Sequence, residues 1–325
     1  MKPLTFSILR ILADSEFHSG EEMAQLLRVS RASVWQALRG LDAAGVTVHR
    51  VPGRGYRLRE PLQWLDPVQV TAALGDKAGL FKLEVIDSAA STNSLLLQKA
   101  AQGAPHGSCV VTEMQTAGRG RRGREWHANL GGSLTFSLLW RFQQGAGFLS
   151  GLSLAVGVAL MRALGQSGVA GAGLKWPNDV LYQHRKLAGI LIELQGDMLG
   201  PSAAVIGIGL NLNLSDTVQN RIDQAVVDVR SITGVMPERN LILANLLLHL
   251  ADVLDEFEEG GFFRLRGEWL GHHAYQGKTV HLLMPDGSRH QGRLLDVAED
   301  GALLVDTGAG KKRFTAGEIS LRGAP

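Results

Sequence analysis

The sequence predicts an α+β protein in three parts: an N-terminal winged helix-turn-helix, a central mixed and largely antiparallel sheet with helices, and a small C-terminal β-barrel. Three observations carry this expectation. Residues 1–58 show short amphipathic helices followed by a hairpin pattern. Residues 67–273 mix helix and strand periods without strict βαβ alternation, which argues against a parallel sheet. From Lys278 onward short alternating strands are cut by turn signals at regular spacing. A chain of 325 residues is long enough for two or three such units, and the expected divisions are 1–62, 66–273 and 274–325.

Leu4, Ile8, Ile11 and Leu12 mark one face of a first helix. Ser19-Gly20-Glu21-Glu22 is a capping box, and it opens a second helix with Met23, Leu26 and Leu27 inward. A turn at Arg28-Val29 leads to Ser30, a cap for a third helix carrying Val34, Leu38 and Leu41. Residues 46–51 and 56–58 flank Pro52-Gly53-Arg54-Gly55, a hairpin with a basic tip. In such modules the second helix of the pair reads the major groove. Arg31, Ser33, Trp35, Gln36 and Arg39 are therefore candidate DNA contacts, and Arg54 and Arg57 on the wing are candidates for phosphate. The charge agrees: residues 1–59 hold nine Lys/Arg against five Asp/Glu, whereas the remainder holds 24 against 26. A winged helix used only for protein contacts is the alternative.

After an apolar connector with Leu62, Trp64 and Leu65, Asp66-Pro67 reads as a helix start. The expected order is then a helix at 67–74, a strand at 81–87, a turn at Ser91-Thr92-Asn93 and a helix at 95–101. Strands at 108–115 and 133–141, a long apolar helix at 149–165, and strands at 173–182, 187–195 and 203–213 follow. Helices are expected at 217–227, 239–258 and 261–273, and barrel turns at Pro285-Asp286-Gly287, Asp300-Gly301 and 307–310. No uninterrupted apolar span reaches the roughly 20 residues of a membrane helix, and the N-terminus lacks a signal-peptide pattern. Cys109 is the single cysteine, so an intramolecular disulfide or a cysteine zinc cluster is excluded; its apolar neighbours predict a buried, inert thiol. These features predict a cytoplasmic protein with no membrane partner.

Residues 118–124 read Gly-Arg-Gly-Arg-Arg-Gly-Arg, four guanidinium groups and three glycines. Packed like charges repel unless they are solvated or meet an anion, and the arginine fork suits carboxylate and phosphate. Gly118, Gly120 and Gly123 also fit the dinucleotide fingerprint. That fingerprint needs a helix opening at its third glycine, and here a loop and a period-two strand follow, so a Rossmann site is rejected. Three other clusters stand out. Ser91-Thr92-Asn93 offers hydroxyls and an amide, or simply caps a helix. Lys175-Trp176-Pro177-Asn178-Asp179 suits phosphate and a divalent cation, or is a turn around a buried tryptophan. Arg185-Lys186-Leu187-Ala188-Gly189 sends a lysine into a core strand, where a snorkelling stem is the plainer reading. The strand with Gly207, Gly209, Asn211 and Asn213 lets backbone approach a ligand.

Taken in order, S-T-N, Q-T-x-G-R-G-R-x-G-R-x-W, K-W-P-N-D, R-K-x-x-G-I-L-x-E and G-x-G-x-N resemble the biotin–protein ligases from end to end. With the winged helix, the chain is similar to their bifunctional bacterial form, which doubles as the biotin operon repressor. The resemblance implies a class II synthetase-like catalytic domain and an SH3-like C-terminal barrel. It implies ATP-dependent ligation of biotin to a lysine of a biotin carboxyl carrier domain through biotinyl-5′-AMP. It also implies operator DNA as a partner and homodimer formation when the adenylate is bound. Lys186, Arg119 and Arg121 would be catalytic, with Asp179 as a candidate base and magnesium ligand. Ser91, Thr92 and Gln115 would hold the ureido head of biotin, with Asn93, Gly118, Gly120 and Gly189 beside it. Arg124, Trp126, Lys175, Asn178, Asp179 and Asn211 would face ATP, its magnesium and the adenylate. A lipoate or other acyl ligase, and a ligand-sensing repressor without turnover, are the competing readings. Residues 216–240 show no signature.

Overall fold

The structure, a computed structural model, describes residues 1–196, 200–283, 289–315 and 320–323. Its first unit is a winged helix. Proline at the first position starts helix Pro3–Ile11. The Ser19 hydroxyl accepts from the Glu22 amide at 3.0 Å to start Gly20–Leu26, and the Ser30 hydroxyl accepts from the Ser33 amide at 3.1 Å to start Arg31–Leu38. Phe6, Ile8, Leu9, Leu12, Met23, Val34, Leu38 and Leu58 close its core. Two expected core positions differ. Leu26 faces solvent, and Leu41 packs from a 3-10 turn because the third helix ends at Leu38 and Gly40 reverses the chain at φ 75°. The wing pairs Val48–Val51 with Gly55–Leu58, and a bridge from His18 to Tyr56 adds a third edge. A side chain at Gly55 would overlap the His18 carbonyl, so the wing joins the helices only with glycine there.

The central sheet has seven strands in the order Lys82–Ala89, Ser108–Gln115, Ser133–Phe142, Ser202–Asn211, Arg185–Gly196, Asp179–Tyr182 and Ala172–Lys175. The first pair is parallel and the rest antiparallel. Period-two alternation divides its side chains. Cys109, Val111, Leu138, Trp140, Ala204 and Ile206 face the helices Leu152–Gln166 and Arg239–Gly260 in the main core. Val110, Leu139 and Val205 face the short helix Thr92–Ala101 on the other side. That helix covers only part of its face, and the candidate site lies on the remainder. Cys109 is fully buried, and burial pushes its thiol pKa up, as an inert core cysteine requires.

Three expected elements differ. Residues 173–182 form two strands rather than one, because the chain reverses at Trp176, Pro177 and Asn178 so that Lys175 pairs with Asp179. Proline has no N–H to give a sheet interior. In place of a helix at 217–227, only Asp216–Gln219 is helical; the chain then turns through 220–224 and bridges Lys186 at Val226, with the Lys186 N–H donating to the Ala225 carbonyl at 2.8 Å. The expected helix at 261–273 is a 3-10 turn, Gly261–Arg264, followed by helix Arg266–Gly271.

The third unit is a five-stranded antiparallel sheet in the order Lys311–Phe314, Leu303–Asp306, Arg289–Val297, Thr279–Leu283 and Ser320–Gly323. The expected turn at 285–287 lies outside the described residues. The Trp176 indole N–H donates to the Gly301 carbonyl at 2.9 Å, which ties this sheet to the turn between Lys175 and Asp179. No helix of the described residues is long and apolar enough to cross a membrane.

The winged helix is docked on the sheet. Arg10 pairs with Asp87 at 2.5 Å, and Leu130 of the central unit enters the helical core. The connector is fixed by a buried pair, Arg239 to Glu113 at 2.8 Å; Glu113 also accepts from the Leu65 N–H, and Arg239 donates to the Gln63 carbonyl.

Candidate functional site

The floor of the site is a patch of sheet without side chains. Gly189 pairs across from Gly209, and Gly207 lies two residues along on the same face. A Cβ at Gly207 would strike the Asn93 amide, and one at Gly209 would strike the Trp126 ring. Glycine is therefore what lets these groups lie flat on the strands. The Trp126 indole N–H is buried there without a hydrogen-bond partner among the described residues.

One end of the cavity is neutral and polar. Ser91 caps the Thr92–Ala101 helix, so its hydroxyl has the capping role as well as a place on the cavity wall. The Gln115 carbonyl oxygen accepts from the Thr92 N–H at 2.8 Å and lies 3.2 Å from the Thr92 hydroxyl. The buried Ser137 hydroxyl lies 2.7 Å from Thr92 Oγ1 and 2.6 Å from Asn93 Oδ1. Asn93 donates its amide to the Leu191 carbonyl and to Glu193 Oε2. Asn93 thus reaches the cavity with both ends of its amide already bonded.

The other end is cationic. The 118–124 loop folds over the sheet through a two-residue ladder, Gly118 with Trp126 and Arg119 with Glu125, and a left-handed turn at Arg122 and Gly123. Arg119 reaches both oxygens of Glu193 at 3.1 Å, and Arg121 donates to Asn178 Oδ1 at 3.3 Å. Burial lowers the Arg121 guanidinium from its usual pKa, and neighbouring Arg122 and Arg124 push the same way against Asp179. An arriving anion would relieve that crowding.

Opposite the loop, Asp179 sits between two ammonium groups, Lys186 at 2.8 Å and Lys175 at 3.8 Å. Lys186 also lies 5.7 Å from the Trp126 ring centre. Asn178 donates to the Ile190 carbonyl, and Asn211 donates to the Lys186 and Val227 carbonyls. Both amides hold backbone around the lysine. With each Asp179 oxygen facing an ammonium, the arrangement makes Asp179 a counter-ion first, which weakens the expectation that it is a base. The described residues contain no cluster of three or more His, Cys, Asp or Glu that could hold a metal.

Of the residues expected at a ligand, Ser91, Thr92, Asn93, Gln115, Arg119, Gly120, Arg121, Arg124, Trp126, Lys175, Asn178, Asp179, Lys186, Gly189 and Asn211 all line one cavity. Gly118 does not. It is buried beneath the loop, where a Cβ would press on Gln115 and the Trp126 carbonyl, so it shapes the stem rather than the wall. The cavity lining holds six Lys/Arg against two carboxylates, Glu125 and Asp179. Such a ring next to a neutral hydrogen-bonding end suits a ligand with a polar head and anionic tail chemistry. Ile222, Gln224 and Val226 also line it. The sequence carries no signal for them, because the backbone of 225–227, and no side-chain motif, pins that segment to Lys186.

The DNA candidates are divided between the third helix with its C-terminal cap and the wing. Arg31, Trp35 and Gln36 are exposed on the third helix, Arg39 is exposed just past its end as the C-cap rather than on the helix, and Ser33 is half-buried beside the N-cap. Arg39 stacks on Trp35 at 4.7 Å. Arg54 and Arg57 lie over the Phe17 ring at 4.2 and 4.9 Å, and Arg57 is half-buried by it.

Comparison with known proteins bears on all three units. The Biotin/lipoate A/B protein ligase family matches residues 85–211, an HTH domain family matches 5–57, and the Biotin protein ligase C terminal domain matches 275–322. The chain is 37% identical over 322 residues to the bifunctional ligase/repressor BirA of Salmonella typhimurium, covering 99% of this chain and 98% of that one. It is 36% identical over 321 residues to the protein of the same name from Escherichia coli, with 98% and 97% covered. Among solved structures it resembles the Aquifex aeolicus biotin protein ligase in complex with biotin and ATP: TM-score 0.66 and 30% identity, over 75% of this chain and 99% of that one.

Proposed function

The chain belongs to the biotin protein ligase family, in the form that carries an N-terminal helix-turn-helix, and from that membership we propose a bifunctional biotin ligase and biotin-responsive repressor. The substrates are biotin, ATP and a lysine of a biotin carboxyl carrier domain. In the first step a biotin carboxylate oxygen attacks the α-phosphorus of ATP, a new P–O bond forms, and pyrophosphate leaves with the electron pair. In the second the carrier lysine, as free amine, attacks the acyl carbon; the C–O bond to AMP breaks and the nitrogen loses its proton.

Both reactants of the first step are anions, so the barrier falls most where fixed cations meet the developing charge. Lys186 and Arg121 serve there in this proposal, with Arg119 and Arg124 closing over the adenylate. Thr92 and Gln115 hold the neutral head, and Ser91 and Gly189 border it. Lys175, Asn178 and Asn211 keep the phosphate side in shape. Asp179 steadies the two lysines, and the oxygen 3.8 Å from Lys175, the less engaged of its two, would be the one to meet any magnesium carried on ATP, which would neutralise phosphate charge. The winged helix reads operator DNA through Arg31, Ser33, Trp35, Gln36 and Arg39, with Arg54 and Arg57 on phosphates. Retained adenylate favours a homodimer whose two winged helices meet a two-fold site. Units 1–62, 66–273 and 274–325 divide these tasks, in the cytoplasm where ATP and carrier are found.

One observation carries the reading: a single cavity joins the Thr92–Gln115 hydrogen-bonding end to six cationic side chains. The test is labelling of a carboxyl carrier domain with the full chain. Biotin and ATP together should label one lysine, and lipoate should not replace biotin. Labelling from lipoate would move the proposal to an acyl ligase of another substrate. Binding of biotin without adenylate or labelled carrier would leave only a sensor.

A further inference from the structure

Glu193 lies outside the cavity wall, yet it joins the two ends of the site. Residues 189, 191 and 193 share one face of their strand, the face that carries the glycine floor. The Glu193 carboxylate accepts from Asn93 Nδ2 at 2.9 Å and meets Arg119 Nη2 at 3.1 Å from both oxygens. Asn93 is buried, and its Oδ1 lies 2.6 Å from the Ser137 hydroxyl. That hydroxyl lies 2.7 Å from Thr92 Oγ1, which lies 3.2 Å from the Gln115 oxygen. Arg119, Glu193, Asn93, Ser137, Thr92 and Gln115 therefore form one unbroken chain of polar contacts. It runs from the arginine loop, along the face of the sheet that carries the glycine floor, to the neutral end.

We propose that Glu193 is a positioning residue that fastens the arginine loop to the Ser91-Thr92-Asn93 turn, so that the loop stays down over a bound adenylate. The inference rests on the adenylate reading of the site. Its physical basis is the contrast between the two partners of one carboxylate. The Asn93 contact is part-buried, from a donor that is itself buried, and it fixes where the carboxylate points. The Arg119 contact is half-exposed, and an isolated pair of that kind holds little. Here the acceptor is already immobilised by Asn93, so less freedom is lost when the guanidinium docks on it. An arginine held this way stays aimed at one place beside the cavity when empty, although its side chain remains exposed, and it is available to the ligand when filled.

The substitution Glu193→Gln keeps an acceptor for Asn93 and removes the charge that holds Arg119. Two measurements on the full chain test it, with thermal midpoints recorded to show that the variants fold. In the empty protein, trypsin should cut within 118–124 about fivefold faster in E193Q than in wild type. With biotin and ATP, E193Q should release biotinyl-adenylate about five- to tenfold faster, with a smaller rise in the KM for biotin. In an Arg119→Ala background E193Q should add less than about twofold, because its partner is already gone. A merely structural role would add in full. Unchanged trypsin cutting in E193Q overturns the inference whatever the ligand is. Faster cutting without any adenylate made by the wild type would instead remove the reading of the site on which it rests. Glu193→Ala cuts both links and should raise the KM for biotin by about tenfold; an unchanged KM there would detach Asn93 from the chain of contacts.

Discussion

The 118–124 loop and the wing both gather arginine, and they hold it differently. In the loop, Arg119 and Arg121 donate to Glu193, fixed on its strand, and to Asn178, fixed in the turn before Asp179. On the winged helix, Arg54 and Arg57 lie on Phe17, Arg50 lies 5.9 Å over Tyr56, and Arg39 lies on Trp35. An aromatic face steadies a cation without occupying its N–H donors, which stay available to a long polyanion. A polar partner occupies donors and aims the group at one place, where a small anion can take the partner's role. The first arrangement suits a backbone of repeated phosphates; the second suits one adenylate.

The sharpest way to break this contrast lies at Lys186, which sits where the loop and the sheet converge. Lys186→Ala should keep its fold, because the bonds to Ala225, Val227 and Asn211 use its backbone. Its loss should slow biotin-dependent exchange of pyrophosphate into ATP by about a thousandfold. Near-normal exchange would show that the converging cations do not act on the reacting atoms. A smaller effect is expected at the loop itself. Arg121→Gly should form adenylate but release it about ten- to a hundredfold faster, read by chasing labelled adenylate from the enzyme. Equal retention would mean that the loop arginines are solvated like those of the wing.

The sequence was legible where side-chain identity and periodicity act locally. Ser19, Ser30 and Asp66 start helices as their types predict, and alternation places the strands through 108–115 and 133–141 with little error. The site was legible where a motif supplies its own chemistry, as with Lys186 beside Gly189. It was not legible where long-range backbone pairing decides. Residues 217–227 have helical spacing of apolar residues, but the helix stops at Gln219, the chain turns through 220–224, and pairing of 225–227 with Lys186, about 40 positions away, overrides the rest. Glu193 closes the motif R-K-x-x-G-I-L-x-E, and the motif gives it no task. Its two partners lie about 75 and 100 residues away in the chain, and only the sheet register brings them together. Gly118 shows the reverse: a glycine in a ligand motif whose work is to let Gln115 and Trp126 close on the loop stem.

The smallest effect, and the one that separates charge from shelf, is expected on the wing. Each phosphate neutralised by a protein cation contributes about 0.9 to the slope of log affinity against log salt. Arg54→Ala should therefore lower the slope for an operator fragment by about 0.9 and weaken binding several-fold near physiological salt. Phe17→Leu keeps both cations and removes the ring beneath them. It should weaken binding about two- to fivefold, the size of an exposed cation–π contact, while leaving the salt slope as it was. The two variants thus change different parts of one titration. If F17L lowered the slope as R54A does, the ring would be needed for Arg54 to reach phosphate at all. If neither changed the slope, the wing would be packed against something other than DNA, and its arginines would have to be explained as those of a protein contact.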